Sequence, residues 1–197
     1  MSDERLDKLH SDLVALHRRL RDETLETYKR MNPFIEDLSD WKERGRAWTK
    51  DDRGVTIYDS TSIVGDVEIG RETWVGPHCS LDGTGGLTIG HHCSISSGCE
   101  LLSHDTARWA LSGGAADYEY DPTWIGDCCF LGSRAVITKG VTIGDRSLIA
   151  AGAVVTTNLP DNSIAAGVPA RRIGTVVLED GDVRLDYDDP AGSAGRP

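Results

Sequence analysis

The stretch Ile125–Val155, IGDCCFLGSRAVITKGVTIGDRSLIAAGAVV, sets an aliphatic side chain at every sixth position: Ile125, Leu131, Ile137, Ile143, Ile149 and Val155. Six is neither the 3.6 of a helix nor the 2 of a simple strand, so the stretch reads as a repeat of short units. The same spacing runs earlier through Ile57, Ile63, Ile69, Val75 and Leu81 and, after a two-residue insertion, through Ile89, Ile95 and Leu101. Glycine often follows the aliphatic residue (Gly70, Gly76, Gly90, Gly126, Gly132, Gly144), as tight turns between short strands require. Three such units close one triangular turn of a parallel β-helix. The expected fold is therefore mainly β, a prism of about five coils over residues 55–174, about 25 Å tall at the usual strand spacing.

The fourth residue after each aliphatic one is small or β-branched: Thr61, Val67, Thr73, Cys79, Cys93, Cys99, Cys129, Ala135, Val141, Ser147 and Ala153. Four of the five cysteines thus occupy one inward slot and read as compact core fillers, while Cys128 points outward. Their odd number, and a charged N-terminus (MSDERLDKLH) where a secretory signal needs an apolar run, count against a disulfide framework.

Outside the prism, residues 1–54 are expected to form a helix and a connector. Leu6, Leu9, Leu13, Leu16 and Leu20 alternate spacings of three and four, the apolar seam of a helix over residues 3–30. Residues 31–54, with Pro33, Gly45, Trp41 and Trp48, read as an irregular connector capping the first coil. Residues 175–197, ending DDPAGSAGRP, read as a frayed acidic tail.

The chain has 197 residues and a formal net charge of −11, which argues against a general nucleic-acid binder. No apolar run approaches the roughly 18 residues of a membrane span, and a cytoplasmic protein is expected. The charge is uneven. Residues 55–130 carry −9 (two basic, eleven acidic) and residues 131–174 carry +3 (five basic, two acidic).

A regular prism offers few features, so chemistry is sought where the repeat breaks. The largest break lies between Leu101 and Ile125, where twenty-four residues replace six and a loop insertion spans about 105–123. His104 stands at its root, on an outward position, and is the candidate general base. Asp105 either orients the imidazole or shapes the loop, the second being favoured. Asp82 either holds an acceptor hydroxyl or forms an Asp-Gly turn. Trp109, Tyr118 and Tyr120 either stack on an acceptor ring or anchor the loop.

The repeat resembles the left-handed β-helix of the hexapeptide-repeat acyltransferases, and the handedness comes from that resemblance. Sugar acetyltransferases of the galactoside and maltose type, and related O-antigen and capsule acetyltransferases, carry a catalytic histidine in a loop interrupting the same coil, which His104 matches. LDGTGGLTIG (81–90) and SISSGCELLSHD (94–105) look most like the polysaccharide-modifying branch. IAAGAVVTTNLPDNSIAAGVPARRIG (149–174) is similar to the family's coenzyme A signature. The resemblance implies acetyl-coenzyme A as cosubstrate, with contacts at Ser133, Ala151, Thr156 and Arg171, and Arg172 as an added phosphate ligand. Arg134, Lys139, Arg146, Arg171 and Arg172 supply the positive island that would meet its phosphates. Phe130 stands where several relatives have a tryptophan. Asp82 and Trp109 are the candidate substrate contacts, and no metal is expected.

The function so read is acetyl transfer to a sugar hydroxyl in polysaccharide or lipopolysaccharide modification, by a homotrimer with no nucleic-acid partner. An amino sugar or other small amine is the alternative acceptor. A zinc-dependent hydratase of the carbonic anhydrase type is a remoter alternative needing three convergent histidines. A non-catalytic or ice-binding prism needs flat threonine rows and no long loop, and fits neither feature.

Overall fold

The computed structural model describes residues 3–188. Its centre is a left-handed parallel β-helix whose first face stacks six rungs: Thr56–Ile57, Trp74–Val75, Ser94–Ile95, Phe130–Leu131, Leu148–Ile149 and Ser163–Gly167. The second face stacks Ile63, Leu81, Leu101, Ile137 and Val155 in register, and the third Ile69, Ile89, Ile125 and Ile143, with Leu159 bridging to Ile143. The prism therefore has five coils and one further rung on its first face.

Thirteen of the fourteen repeat aliphatics are at most 2% exposed, the exception being Ile63 at the end coil, which is half-buried and, like Trp48, packs against the core. The inward small slot is filled as its spacing predicts: Cys79 and Cys99 stack at one corner, Cys93 and Cys129 at another, all four buried and none in a disulfide. The Cys79 thiol and burial push Cys99 upward, and the Cys93 thiol and burial push Cys129 upward, so both are inert protonated fillers at neutral pH. Cys128 is exposed.

Nine of the fourteen repeat units turn on a residue with positive φ three positions after the inward aliphatic. Glu72, His78, His92, Gly98, Cys128, Arg134, Gly140, Arg146 and Gly152 all adopt it. The third corner is further laced by a carboxylate ladder: Asp127 Oδ1 accepts from the His91 amide (2.8 Å), Asp145 Oδ1 from Asp127 (2.8 Å) and Asp161 Oδ1 from Asp145 (2.9 Å). These bonds satisfy turn amides that the short rungs leave unpaired.

The N-terminal region contains α1 (Asp3–Tyr28), as the leucine spacing predicts. Residues 31–54 differ from the expected irregular connector, for they form α2 (Phe34–Leu38) and α3 (Trp41–Thr49). Asp40 caps α3 through the amides of Lys42 and Glu43, a local signal that Pro33 and Gly45 masked in sequence. Gly45 is required by packing rather than flexibility: a Cβ there would lie 1.9 Å from the Val55 carbonyl oxygen. Buried Glu36 accepts from the Asp59 and Ser60 amides and from Trp41 Nε1, while Trp41 stacks on Tyr58 at 3.8 Å. The two short helices thus close the open end of the first coil.

The expected frayed tail is also corrected. Ala170–Glu179 and Asp182–Tyr187 form an antiparallel hairpin that continues the first face beyond Ser163–Gly167. Val176, Leu178, Val183 and Leu185 alternate along it, a strand pattern outweighed in composition by the acidic residues. Residues 189–197, the end of the expected tail, lie outside the described residues.

Candidate active site

His104 occupies the position at which the regular corners turn with positive φ, but here the chain leaves the prism instead. His104–Asp105 pairs antiparallel with Glu119–Tyr120, and a short helix, α4 (Ala107–Leu111), lies at the far end of this hairpin. The root is firmly held. Ser103 is fully buried, its hydroxyl donates to the Asp82 carbonyl oxygen (2.6 Å) and accepts from the Gly85 amide (2.8 Å), and its carbonyl accepts from Asp121 (2.9 Å). Gly85 permits this approach, since a Cβ would stand 2.2 Å from the Ser103 carbonyl oxygen.

Nδ1 of His104 is bonded to Oδ2 of Asp82 from the preceding coil. Asp82 is buried, and its carboxylate also accepts from the Thr84 amide (2.9 Å), the Thr84 hydroxyl and the Ser103 amide (3.3 Å). Burial raises its pKa, but the Thr84, His104 and Ser103 hydrogen bonds outweigh that effect and hold the carboxyl below its ordinary value. An ionised Asp82 accepts only, so Nδ1 of His104 carries the proton and a neutral ring keeps its lone pair on Nε2. The histidine side chain is 35% exposed, and among the described residues Nε2 has no hydrogen-bond partner. Tyr120 lies parallel to the ring, with centroids 6.0 Å apart.

This arrangement revises the sequence reading of Asp82. Its oxygens are committed to the protein, which leaves no free carboxylate to hold an acceptor hydroxyl, and the imidazole's partner is Asp82 rather than Asp105. Asp105 shapes the loop: Oδ1 accepts from the Ala107 amide (2.9 Å) and Oδ2 lies 3.5 Å from Lys139 Nζ. Lys139 Nζ is also 3.5 Å from Glu119 Oε2, so one ammonium on the next coil holds both strands of the hairpin. Trp109 packs edge-on against Tyr118 at 5.6 Å within the loop, with both rings over two-fifths exposed.

The remaining candidates fall on two corners. Thr156 shares the second corner with His104 and Lys139, whereas Ser133 and Ala151 stack on the first corner, across the second face. All three are exposed. Arg171 and Arg172 begin the C-terminal hairpin, opposite Ala166 and Ala165, and are exposed as well. Phe130 is 45% exposed on the outer side of the first face. The other prism histidines sit elsewhere: His78 on the first corner, His91 and His92 on the third, with His91 Nε2 2.7 Å from Asp127. Among the described residues, no three His, Cys, Asp or Glu side chains converge as a metal site requires.

Residues the sequence reading missed are Thr84, Ser103 and Lys139 in their supporting roles. The available signal was phase: Leu81, Leu101 and Ile137 are successive rungs, so whatever follows them shares one corner.

The family model described as hexapeptide repeat of succinyl-transferase matches residues 122–157. The galactoside O-acetyltransferase of Escherichia coli (strain K12) is 35% identical over 109 residues, 55% of this chain and 53% of its own length. WcaF of the same strain, named for acetyl transfer in colanic acid biosynthesis, is 36% identical over 104 residues, 52% and 54% of the two chains. The chain spans about half the length of these curated relatives. A hexapeptide-repeat-containing acetyltransferase of Vibrio cholerae O1 biovar eltor, solved with acetyl coenzyme A, superposes with a TM-score of 0.58 at 23% identity, over 84% of this chain and 87% of that one. That likeness concerns the fold. The six-residue period and the coiled prism it builds thus accompany sequence similarity to a hexapeptide-repeat model over residues 122–157 and to acetyltransferases over about half of the chain.

Proposed function

We propose that the protein transfers an acetyl group from acetyl-coenzyme A to a sugar hydroxyl, with His104 as general base. The observation that carries this reading is the His104–Asp82 pair: a buried carboxylate fixes the tautomer, and an unpartnered Nε2 faces outward beside Tyr120. The likeness to acetyltransferases supplies the reaction class. Nε2 takes the proton of the acceptor hydroxyl while its oxygen bonds to the thioester carbonyl carbon. The tetrahedral intermediate then expels the coenzyme thiolate, which takes the same proton from the imidazolium. Asp82 stabilises that cation in a site from which water is partly excluded. No acyl-enzyme is needed.

For the donor we assign Ser133, Ala151, Thr156, Arg171 and Arg172, the arginines meeting its phosphates. Because Ser133 and Ala151 lie on one corner and His104 and Thr156 on another, a single prism cannot gather them round one thioester. A groove between two copies can, and a homotrimer with three such grooves is the closed arrangement that repeats it. Trp109 and Tyr120 offer aromatic surface beside His104 for the acceptor ring. A donor of this kind suits a cytoplasmic enzyme.

The test is His104→Ala. Turnover, read as release of free thiol from acetyl-coenzyme A with sugars and amines as acceptors, is expected to fall about 10²- to 10⁴-fold. Coenzyme binding by calorimetry should be unchanged. Intact turnover removes His104 from the chemistry, and an amine accepted in preference to every sugar replaces oxygen by nitrogen as the acylated atom.

A further inference from the structure

The longest helix of the protein touches the prism hardly at all. α1 has 26 residues and none is buried. It packs onto the rest of the chain through α2 near its C-terminal half, where His17 lies 4.8 Å from Phe34 and the Thr24 hydroxyl donates to Asp37 (3.3 Å). Beyond that contact Leu6, Leu9 and Leu13 are 45%, 48% and 43% exposed, continuing a stripe that runs on through half-buried Leu16 and Leu20. Three large aliphatic side chains in one line on a solvent-facing helix leave in water apolar surface that packing against a partner would remove.

The spacing identifies what covers the stripe. Leucines at intervals of three, four, three and four repeat every 3.5 residues, the period at which two helices interlock side chains along a shared seam. The period is self-complementary, so a second α1 supplies the matching holes. Charge then selects the direction. Arg5, Asp12 and Arg19 flank the stripe on one side, and His10 on the other, where the same flank further along, at His17 and Thr24, lies against α2. Antiparallel pairing centred on Leu13 sets Asp12 against the partner's Asp12 and Arg5 against the partner's Arg19. Parallel pairing over the exposed part of the stripe faces Arg5 with the partner's His10, and avoids both like-charge contacts.

We propose that α1 is a homotypic docking element whose Leu6–Leu20 stripe packs in parallel against the same stripe of another copy of this chain. It joins subunits independently of the prism, and shares with the proposed trimer only the need for several copies.

Engineered thiols test it on the full chain. Cys128 is the exposed native thiol, so Cys128→Ser serves as background. In it, Leu13→Cys lies on the stripe and Ser11→Cys on the outer side of the helix. Under mild oxidation, Leu13→Cys is expected to form disulfide-linked dimer at least tenfold faster than Ser11→Cys at equal concentration. In a second variant, Leu9→Asp with Leu13→Asp, hydrogen exchange of residues 3–20 should accelerate at least tenfold while the prism amides keep their protection. Equal linking rates, or unchanged exchange in the aspartate variant, overturn the proposal. Light scattering separates the two assemblies: a trimer mass with equal linking rates leaves the trimer and removes the helix seam, whereas preferential linking at a dimer mass keeps the seam and removes the trimer.

Discussion

His104 owes its orientation to a residue 22 positions earlier in the chain, one coil below it. Asp82→Asn keeps the volume but substitutes an amide that can present an N–H to Nδ1, favouring the opposite tautomer and placing the proton on Nε2. Turnover should fall about 10²-fold or more by analogy with other imidazoles that lose their carboxylate, with coenzyme affinity unchanged by calorimetry. An acid-stability difference should accompany it. The folded carboxyl sits below its ordinary value of 3.8, so its ionised form stabilises the fold above that pH and the contribution disappears as pH falls through the lowered value. Buried Glu36, where hydrogen bonds to Ser60, Asp59 and Trp41 outweigh the raising effect of burial, acts in the same sense below its ordinary 4.5. Melting temperature should therefore drop as pH is lowered from about 5 toward 3, and the drop should be shallower in Asp82→Asn. A parallel slope in the two proteins would mean that Asp82 is not held ionised by the fold.

At the level of elements, the hairpin that begins at His104 is held down by Lys139. Its ammonium, about a quarter exposed, lies 3.5 Å from Asp105 and 3.5 Å from Glu119, and Arg108 adds a second cation 3.4 Å from Glu119. Lys139→Met keeps the stem and removes the charge, leaving Asp105 and Glu119 facing each other across the hairpin. Loosening should move Tyr120, and with it the acceptor surface, more than it moves the imidazole, which Asp82 holds from below. The expected result is a KM for acceptor raised about three- to tenfold, corresponding to about 0.7–1.4 kcal/mol of lost binding, with the KM for coenzyme little changed. Equal effects on both substrates would argue against a role confined to the hairpin. None of this was legible as a pair, although much else was. The hexad phase gave the rungs, the inward cysteines and the exit point of the loop, because a six-residue period fixes which side chains face inward. Contacts between coils depend on how each corner is filled. The two extra residues near Asp82 and the eighteen near His104 alter their corners in ways a period cannot express. Residues 34–49 and 170–187 escaped for a different reason: short helices beside proline and a strand rich in aspartate carry weak local signals that tertiary packing overrides.

For the whole molecule, the decisive geometry is the separation of His104 from Ser133 and Ala151 by an entire face of the prism. If each site is completed by a neighbouring copy, then chains with different lesions can repair one another. Ala151→Trp should block the donor on the first corner without touching the second, and His104→Ala should do the reverse. Each variant alone is expected to be inactive. In trimers assembled from equal amounts of both, a site regains activity when it draws His104 from an Ala151→Trp chain and the first corner from a His104→Ala chain. Random assembly creates that combination at roughly a quarter of the sites of a closed ring. The measurement is thiol release after the two variants are unfolded together and refolded, compared with separately refolded samples mixed afterwards. Recovery near a quarter of wild-type activity requires shared sites, because no chain in the mixture carries both intact corners. Activity that stays at the level of the separate variants would confine each site to one chain, and the coenzyme would then have to follow the second corner past His104 and Thr156, leaving Ser133 and Ala151 outside it.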